Sequence, residues 1–420
     1  MGTAVTINFA TAAELARWDD LILANPDGGD VWRSRDYAEQ KRLGHYTPRY
    51  VVVSGNELDN DKVGTGEDSV WLAGANPWAM AFTVHEKSVP FVGKLWYLPK
   101  GPGLATVAEV VWVTRILADF AKDNGAFMLK IEPRLTFQQA AGGLETYVSA
   151  AATDDNQQGA IIAELAAELA AEVVAARAAV RADLVGEGFV ETLPVIPNSS
   201  TVIVDVSPTP GAVIDGTVDD ELLKRIGQKA RYAINRARRD GVTVEQVSAT
   251  DENCELMFGL LADTAEGAFG IRSREYYTSF WKRFEASGHG QLFFAYFEGQ
   301  LVAGAFAMIF GNRSTYKDGA SLRKKTGYGA SHLMQFEVMT WARSRGSVLH
   351  DLCGSPAADE LADTEHPFYG IGLFKTSFSP VVTDYIGVWD YPLNAVKYRF
   401  WVSFAERAAR RLSLIVRQDP

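Results

Sequence analysis

The feature of this 420-residue chain that most constrains its fold is an order of predicted elements that occurs twice. Each half contains a helix pair, a meander of three strands, a glycine turn, a helix and a strand. In the first half the last three elements are predicted at Lys100–Gly103, Thr106–Asn124 and Phe127–Glu132. In the second half they are predicted at Gly327–Gly329, Ala330–Arg345 and Val348–Asp351.

This order predicts an α/β (α+β) protein with two domains, each a mixed sheet flanked by helices, as in acetyltransferase-type (GNAT-type) folds. The first domain is predicted over residues 1–207 and is completed by a C-terminal helix over 388–420. The second is predicted over 208–387 and begins with a basic helix, Asp219–Asp240. An alanine-rich helix over Asp155–Glu187, with apolar residues at helical spacing, interrupts the first domain.

Composition excludes several classes of protein. An apolar content of 47% and a charged content of 22% are typical of a soluble globular protein. No apolar run approaches the roughly 20 residues of a transmembrane helix, and Met1–Phe9 does not read as a signal peptide. Two cysteines favour a reducing cytoplasm. The six histidines are not at metal-ligand spacing. We therefore expect a cytoplasmic protein with neither metal nor cofactor.

The net charge of −11 argues against indiscriminate coating of nucleic acid. Basic residues are nevertheless concentrated in Glu221–Gly241 and from Asn394 onward. Local basic patches on an acidic protein indicate a polyanionic ligand bound at defined places. The alternative is that both segments are solvated helix faces.

Candidate functional residues are single polar side chains at the ends of predicted elements. In the run Gly370–Phe378, Lys375 lies between two phenylalanines, where an ammonium can bind phosphate or stabilise an oxyanion. Lys41 ends a helix, Glu132 ends a strand, and Arg272 and Arg274 flank the start of a helix. Each alone is explained by a surface charge or a cap. Together they suit two anionic ligands that meet in a cleft.

Several motifs, in order along nearly the whole chain, resemble one known family. They are Trp32–Lys41, Lys94–Gly103, Leu129–Pro133, Lys229–Val242, Arg272–Tyr277, Tyr316–Ser321, Gly370–Phe378 and Tyr385–Gly387. On these residues the chain resembles the FemABX family of peptidoglycan-bridge aminoacyltransferases, and its FemX-like members in particular.

The resemblance implies two acetyltransferase-like domains separated by a cleft, and an enzyme of cell wall biogenesis. Such an enzyme moves alanine, serine or glycine from aminoacyl-tRNA to the side-chain amine of the third residue of a muramyl pentapeptide. The acceptor is either UDP-linked or lipid-linked, and a lipid-linked acceptor implies peripheral membrane association.

The resemblance also implies roles for individual residues. Lys41 corresponds to a lysine that contacts the UDP diphosphate, with Arg272 or Arg274 as its partner, and Glu132 to a carboxylate near the acceptor amine. Phe374 and Lys375 correspond to a pair at the tRNA acceptor end, where the lysine stabilises the transition state. Further expected contacts are Trp32 and Tyr37 with the acceptor and Lys229, Arg231 and Arg236 with tRNA.

Two other functions are compatible with the sequence. A turn such as Lys324–Ala330, which opens a helix, presents backbone N–H groups to a pyrophosphate and suits a coenzyme-A-dependent N-acyltransferase. The basic stretch Lys224–Arg239 suits an RNA-binding module without catalysis.

Overall fold

The computed structural model describes residues 5–55, 78–137, 171–172, 174–196, 198–208, 218–265, 270–322 and 327–405. The chain divides into two compact units. The first includes Met1–Thr146, Glu172–Ser199 and Asp384–Leu412, and the second includes Tyr147–Ala171, Ser200–Thr383 and Ser413–Pro420. Each unit contains a seven-stranded sheet.

The strands are, in chain order, β1 Thr6–Phe9, β2 Thr47–Gly55, β3 Trp78–Val89, β4 Gly93–Leu98, β5 Ala126–Ile131, β6 Val190–Thr192, β7 Ser200–Asp205, β8 Thr243–Val247, β9 Gly290–Phe297, β10 Gln300–Phe310, β11 Arg313–Ser321, β12 Leu349–Asp351, β13 Val382–Asp384 and β14 Val388–Pro392.

The α-helices are α1 Ala12–Ala16, α2 Trp18–Leu23, α3 Arg35–Gln40, α4 Val107–Asp123, α5 over 174–186, α6 Val218–Arg225, α7 Gln228–Arg239, α8 Asp251–Ala265, α9 Arg274–Ala286, α10 Ala330–Ser344, α11 Tyr369–Thr376 and α12 Ala395–Phe400. Among the described helices, none is both long and apolar enough to cross a membrane.

The sheet of the first unit has the order β1-β2-β3-β4-β5-β14-β6. Strands β4 and β5 are parallel, and the other pairs are antiparallel. Helix α4 makes the crossover between the parallel strands, as a parallel pair requires. It packs its apolar face, including Val110 and Leu117, into a core that also holds Trp96 and Trp389.

The sheet of the second unit has the order β13-β7-β12-β11-β10-β9-β8. Strands β11 and β12 are parallel, and α10 makes the crossover. Helix α10 packs Phe336 and Met339 into the core of this unit. The prediction of an α/β protein with two mixed sheets flanked by helices is confirmed.

Two boundaries differ from the predicted domains. Strand β7, which lies before the predicted boundary at 207, belongs to the second sheet because it pairs antiparallel with β12. The chain returns to the first unit at Asp384 rather than at 388. The predicted C-terminal helix over 388–420 is wrong at its start, because 388–392 form β14, which pairs with both β5 and β6.

The predicted basic helix Asp219–Asp240 is two helices, α6 and α7, separated at Gly227. The N–H of Gly227 donates to the carbonyl of Phe378 at 3.0 Å instead of continuing a helix. The segment around Phe378 also lies too close for a side chain at Gly227, since a Cβ there would be 2.2 Å from the carbonyl oxygen of Ser377.

The predicted alanine-rich helix is partly visible. Residues 174–186 are helical, and Val180 and Leu184 are buried in the core of the first unit. This supports ordinary packing for the end of the segment. Residues 155–170, and also 324–326 of the second glycine turn and 406–420, lie outside the described residues.

Candidate functional site

A cluster of aromatic rings surrounds Lys41 in the first unit. Ser34 caps α3 by accepting from the N–H of Tyr37 at 3.2 Å, and Lys41 follows one turn later on the same helix face. The Lys41 ammonium lies 5.9 Å from the ring centre of Tyr37 and 4.9 Å from that of Tyr46. Trp32 packs edge-on against Tyr37 at 4.9 Å. The structure therefore places Trp32, Tyr37 and Lys41 together.

His85 of β3 completes this group, which we call the Lys41 cluster (Tyr37, Lys41, Tyr46 and His85). Its ring lies 5.5 Å from that of Tyr37 and 5.9 Å from that of Tyr46. His85 is fully buried, and neither ring nitrogen has a hydrogen-bond partner among the described residues. Burial and the Lys41 ammonium hold the pKa of His85 well below its ordinary value, so the imidazole is neutral.

Glu132 lies at the end of β5, where Tyr97 of β4 links it to the Lys41 cluster. The ring of Tyr97 is 5.9 Å from that of His85, and its hydroxyl donates to Glu132 Oε2 at 2.5 Å. Lys100 Nζ lies 3.1 Å from Glu132 Oε1 and donates to the carbonyl of Asn198 at 2.6 Å. Glu132 is thus fixed by protein groups, which suits a positioning or electrostatic role better than that of a mobile base.

The ammonium of Lys375 binds a tight turn in the second unit. After β12 the chain turns at Cys353 and Gly354, both of which have positive φ angles. The carbonyls of these two residues accept hydrogen bonds from Lys375 Nζ, the one from Gly354 at 2.7 Å. Burial lowers the pKa of Lys375 to about 8, although the Cys353 and Asp351 side chains oppose the shift. An ammonium has three N–H donors, so one is left for a ligand.

Phe374 forms part of an aromatic stack with His332 of α10. The two rings are 4.8 Å apart, and His332 also stacks on Phe378 at 5.4 Å. His332 Nε2 lies 3.3 Å from Ser377 Oγ. Burial, with a smaller effect of Lys229, lowers the pKa of His332 to about 4. Lys229 of α7 is therefore close enough to this stack to interact with it electrostatically.

The remaining basic residues of α7 lie on its outer side. Ala230, Ala233, Ile234 and Ala237 form the buried face of the helix. Arg231 Nη1 donates to the carbonyl of Lys224 at 3.1 Å. Arg236 pairs with Asp240 at 3.3 Å, and its guanidinium stacks over the Tyr328 ring at 4.3 Å. Part of the positive charge of α7 is thus balanced within the unit, while Lys229 and Lys224 are exposed.

The structure distinguishes between the two arginines at the start of α9. Arg274 is half exposed and forms an ion pair with Glu255 at 2.9 Å. The Arg272 guanidinium stacks over Tyr276 at 4.4 Å, beside Lys317. A bulge in the pairing of β10 with β11 leaves Lys317 without an opposite residue. Arg272 is thus held against the Tyr276 ring, whereas Arg274 is half exposed and already paired with Glu255, so Arg272 is the better candidate for a ligand contact.

The N-terminus of crossover helix α4 is capped by a side chain of the helix itself. Glu109 and Thr106 form a capping box, and Glu109 Oε2 accepts from the N–H groups of Ala105 and Thr106 at 3.0 and 3.1 Å. Glu109 is buried, and burial raises its pKa. A buried carboxyl group at this helix start takes the position in which a phosphate would be bound.

The start of crossover helix α10 is covered by α7. A Cβ at Gly329 would lie 2.3 Å from the carbonyl oxygen of Ala233. The adjacent Tyr328 ring packs against Tyr232 and Arg236. The described part of the predicted pyrophosphate-binding turn, Gly327–Gly329, is therefore packed against the backbone of a neighbouring helix.

Sequence reasoning did not assign roles to several residues at these sites: Tyr46, His85, Tyr97, Lys100 and His332. Strand alternation is a signal that could have found two of them. His85 pairs with Tyr97 across β3 and β4, which places both side chains on one face of the sheet. Among the described residues, no group of three or more histidine, cysteine, aspartate or glutamate side chains could hold a metal ion.

Buried histidines are expected to make the protein sensitive to acid. His85, His332 and His350 all have lowered pKa values, about 4 for the last two, with burial as the main cause. Below pH about 6.5 the unfolded chain binds protons that the folded chain does not, so the free energy of unfolding decreases as the pH falls. Each histidine contributes about 1.4 kcal/mol per pH unit within that range.

Urea unfolding of the wild type and of His85→Gln at several pH values between about 7 and 5 measures this effect. The variant should show a smaller loss of stability on acidification. His45→Asn is the control, because His45 is exposed and asparagine tolerates its positive φ. Equal slopes for the wild type and His85→Gln would contradict the prediction.

Comparison with known proteins gives matches in both sequence and structure. Residues 291–406 match the FemAB family. A lipid II:glycine glycyltransferase of Staphylococcus epidermidis is 38% identical over 101 residues, which is 24% of this chain and 24% of that protein. The enzyme of the same name from Staphylococcus aureus is 34% identical over 102 residues, again 24% of each chain. The matches thus span 24% of the length of these relatives.

The crystal structure of FemX superposes with a TM-score of 0.64. It is 19% identical, and the superposition covers 94% of this chain and 99% of that one. At this identity the similarity shows the fold. The family resemblance predicted from the ordered motifs is confirmed by these findings.

Proposed function

We propose that this chain, whose residues 291–406 match the FemAB family, is a tRNA-dependent aminoacyltransferase of peptidoglycan synthesis. It adds an amino acid to the side-chain amine of the third residue of a precursor stem peptide. The observation that carries the proposal is the position of Lys375. It lies inside the matched segment, and its ammonium is held by two carbonyls with one N–H left for a ligand.

The donor side of the reaction is proposed for the second unit. An aminoacyl ester has a carbonyl oxygen that becomes negative when an amine attacks the carbonyl carbon. The third N–H of Lys375 stabilises this oxyanion. The attack forms the C–N bond and the oxyanion together. When the oxyanion collapses, the ester C–O bond breaks, and the proton of the amine goes to the ribose oxygen of the departing tRNA. Phe374 packs against the acceptor end of the tRNA, and Lys229, beside the same stack, binds its backbone phosphate.

The acceptor side is proposed for the first unit. Lys41 binds the anionic diphosphate of the precursor, with Tyr37 and Trp32 packing beside it. Glu132, fixed by Tyr97 and Lys100, orients the acceptor amine. Holding the reactants in the right geometry can lower the activation free energy by about 7 to 11 kcal/mol. An ester is already activated, so few groups are needed beyond those that orient it.

The names of the relatives favour a particular donor and acceptor. Both similar staphylococcal enzymes are lipid II:glycine glycyltransferases. We therefore propose glycine as the first donor to test and a lipid-linked precursor as the first acceptor, with alanine, serine and the UDP-linked precursor as alternatives.

The geometry disfavours the coenzyme-A-dependent alternative. Such an enzyme binds pyrophosphate at the start of a crossover helix. In the first unit that position holds the Glu109 carboxyl group. In the second it is packed against Ala233. Neither described helix start is available without rearrangement.

The experiment that tests the function is an amide-formation assay on the full chain. Purified protein is incubated with glycyl-, alanyl- or seryl-tRNA and with lipid II or UDP-linked muramyl pentapeptide, and the product is measured by mass spectrometry. A parallel reaction contains acetyl-CoA instead of tRNA. We expect extension of the stem peptide only with charged tRNA. Product formed only from the thioester would refute the proposal.

A further inference from the structure

A second lysine lies beside the Lys41 cluster. Lys87 and His85 are two residues apart on β3, so strand alternation places both side chains on the same face of the sheet. Glu86, between them, points to the opposite face, where it binds Arg49 at 3.0 Å and Lys94 at 3.3 Å. The strand thus separates a basic face from a face on which the charges are balanced.

Lys41 and Lys87 share one aromatic ring. Their ammonium nitrogens lie 4.9 and 4.8 Å from the ring centre of Tyr46. Each distance is within the range of a cation–π interaction. The two ammonium groups are therefore no further apart than a diphosphate group and two hydrogen bonds can span.

His85 supplies an independent observation that points to a ligand. It is fully buried beside Lys41, and neither ring nitrogen is hydrogen-bonded within the described residues. A buried polar group without a partner is costly unless a ligand or water satisfies it. A neutral imidazole carries one N–H, which can donate to a phosphate oxygen.

We infer that Lys87 is a specificity-determining residue, which with Lys41 and His85 forms a site for a diphosphate diester and selects it over a single phosphate. Lys41 binds one phosphoryl group and Lys87 the other, while His85 donates to an oxygen of the group nearer Lys41. The inference deepens the proposed function and rests on it for the identity of the natural ligand. It assigns two residues, Lys87 and His85, that neither the family motifs nor the proposed mechanism uses.

Calorimetric titration of the full chain with inorganic pyrophosphate and with inorganic phosphate tests this site. We expect the wild type to bind pyrophosphate more tightly than phosphate. Lys87→Met should weaken pyrophosphate binding about tenfold, the effect of one charge-assisted hydrogen bond, and should leave phosphate binding nearly unchanged. Lys87→Arg should retain most of the affinity, because it keeps the charge.

Lys94→Met is the matched control. It removes the same charge from the neighbouring strand β4, on the opposite face of the sheet, where Lys94 binds Glu86. Pyrophosphate affinity should not change in this variant. If Lys87→Met and Lys94→Met have equal effects, or if the wild type does not distinguish pyrophosphate from phosphate, the inference is wrong.

Two further arms identify the source of the diphosphate. Displacement of pyrophosphate by UDP points to a nucleotide-linked acceptor. Displacement by phosphatidylcholine vesicles that contain a polyprenyl diphosphate, but not by vesicles without it, points to a lipid-linked one. Either result supports the site, and displacement by neither overturns it. Because no tRNA is present, this binding can succeed when the transfer assay fails, so failure of the site and failure of the proposed function are distinguishable.

Discussion

Lys375→Met is expected to lower the turnover number of the aminoacyl transfer by about 10²- to 10³-fold, the usual effect of removing one oxyanion donor. Methionine has a similar length but offers no N–H to the ester carbonyl. The affinity for the acceptor should change little, because the proposed contact strengthens in the transition state. Single-turnover kinetics with glycyl-tRNA, combined with direct measurement of acceptor binding, separates the two quantities. Equal losses in both would contradict the role.

The pH dependence provides a second test of Lys375. Its pKa is lowered to about 8, so the active ammonium form is lost as the pH rises through that value. Turnover should fall on the alkaline side of the profile. In Lys375→Arg the guanidinium stays protonated, so any residual activity should lack this alkaline limb. An identical limb in both proteins would show that another group causes it.

Gly227→Ala is expected to destabilise the second unit by about 3 kcal/mol or more. The added methyl group would lie 2.2 Å from the carbonyl oxygen of Ser377, a backbone atom that cannot move without shifting its segment. This segment follows Phe374 and Lys375 directly, so transfer activity should fall as well. Urea unfolding and the transfer assay measure the two effects.

Gly370→Ala is the matched control for this change. Gly370 lies in α11, and a Cβ there would meet no atom within 4 Å. Because alanine is the better helix former by about 1 kcal/mol, stability should be unchanged or slightly raised. Unaltered stability in Gly227→Ala would mean that the contact with Ser377 is not a constraint on the fold.

The repeated order of elements was sufficient to predict much of the fold. The crossover helices α4 and α10 were predicted within about two residues, a common uncertainty of helix ends, because each has an apolar face and begins after a glycine turn. The three-strand meanders were also predicted, because their apolar runs are bounded by turns.

The errors arose where long-range pairing outweighs local pattern. Residues 388–392 form a strand only because β5 and β6 lie on either side of them, and nothing within Val388–Pro392 encodes those partners. The break at Gly227 likewise depends on Phe378, which is 151 positions further along the chain. Local sequence favours one continuous basic helix there.

In the candidate site, too, contacts between residues close in sequence could be predicted, and contacts that depend on strand pairing could not. Tyr37 and Lys41 are four residues apart, so the helix period brings them together. Trp32 lies in the turn just before this helix. Lys100 lies within the motif Lys94–Gly103, but its contact with Glu132 depends on the parallel pairing of β4 with β5, which a sequence pattern does not specify.

The filled starts of α4 and α10 have a practical consequence for protein engineering. Exchanging side chains around Lys375 would not convert this scaffold into an acetylating enzyme. The Glu109 carboxyl group would first have to be removed from the start of α4, or α7 moved away from the start of α10, before the pyrophosphate of coenzyme A could bind there. Inhibitors that imitate the pyrophosphate part of coenzyme A should for the same reason bind this protein weakly.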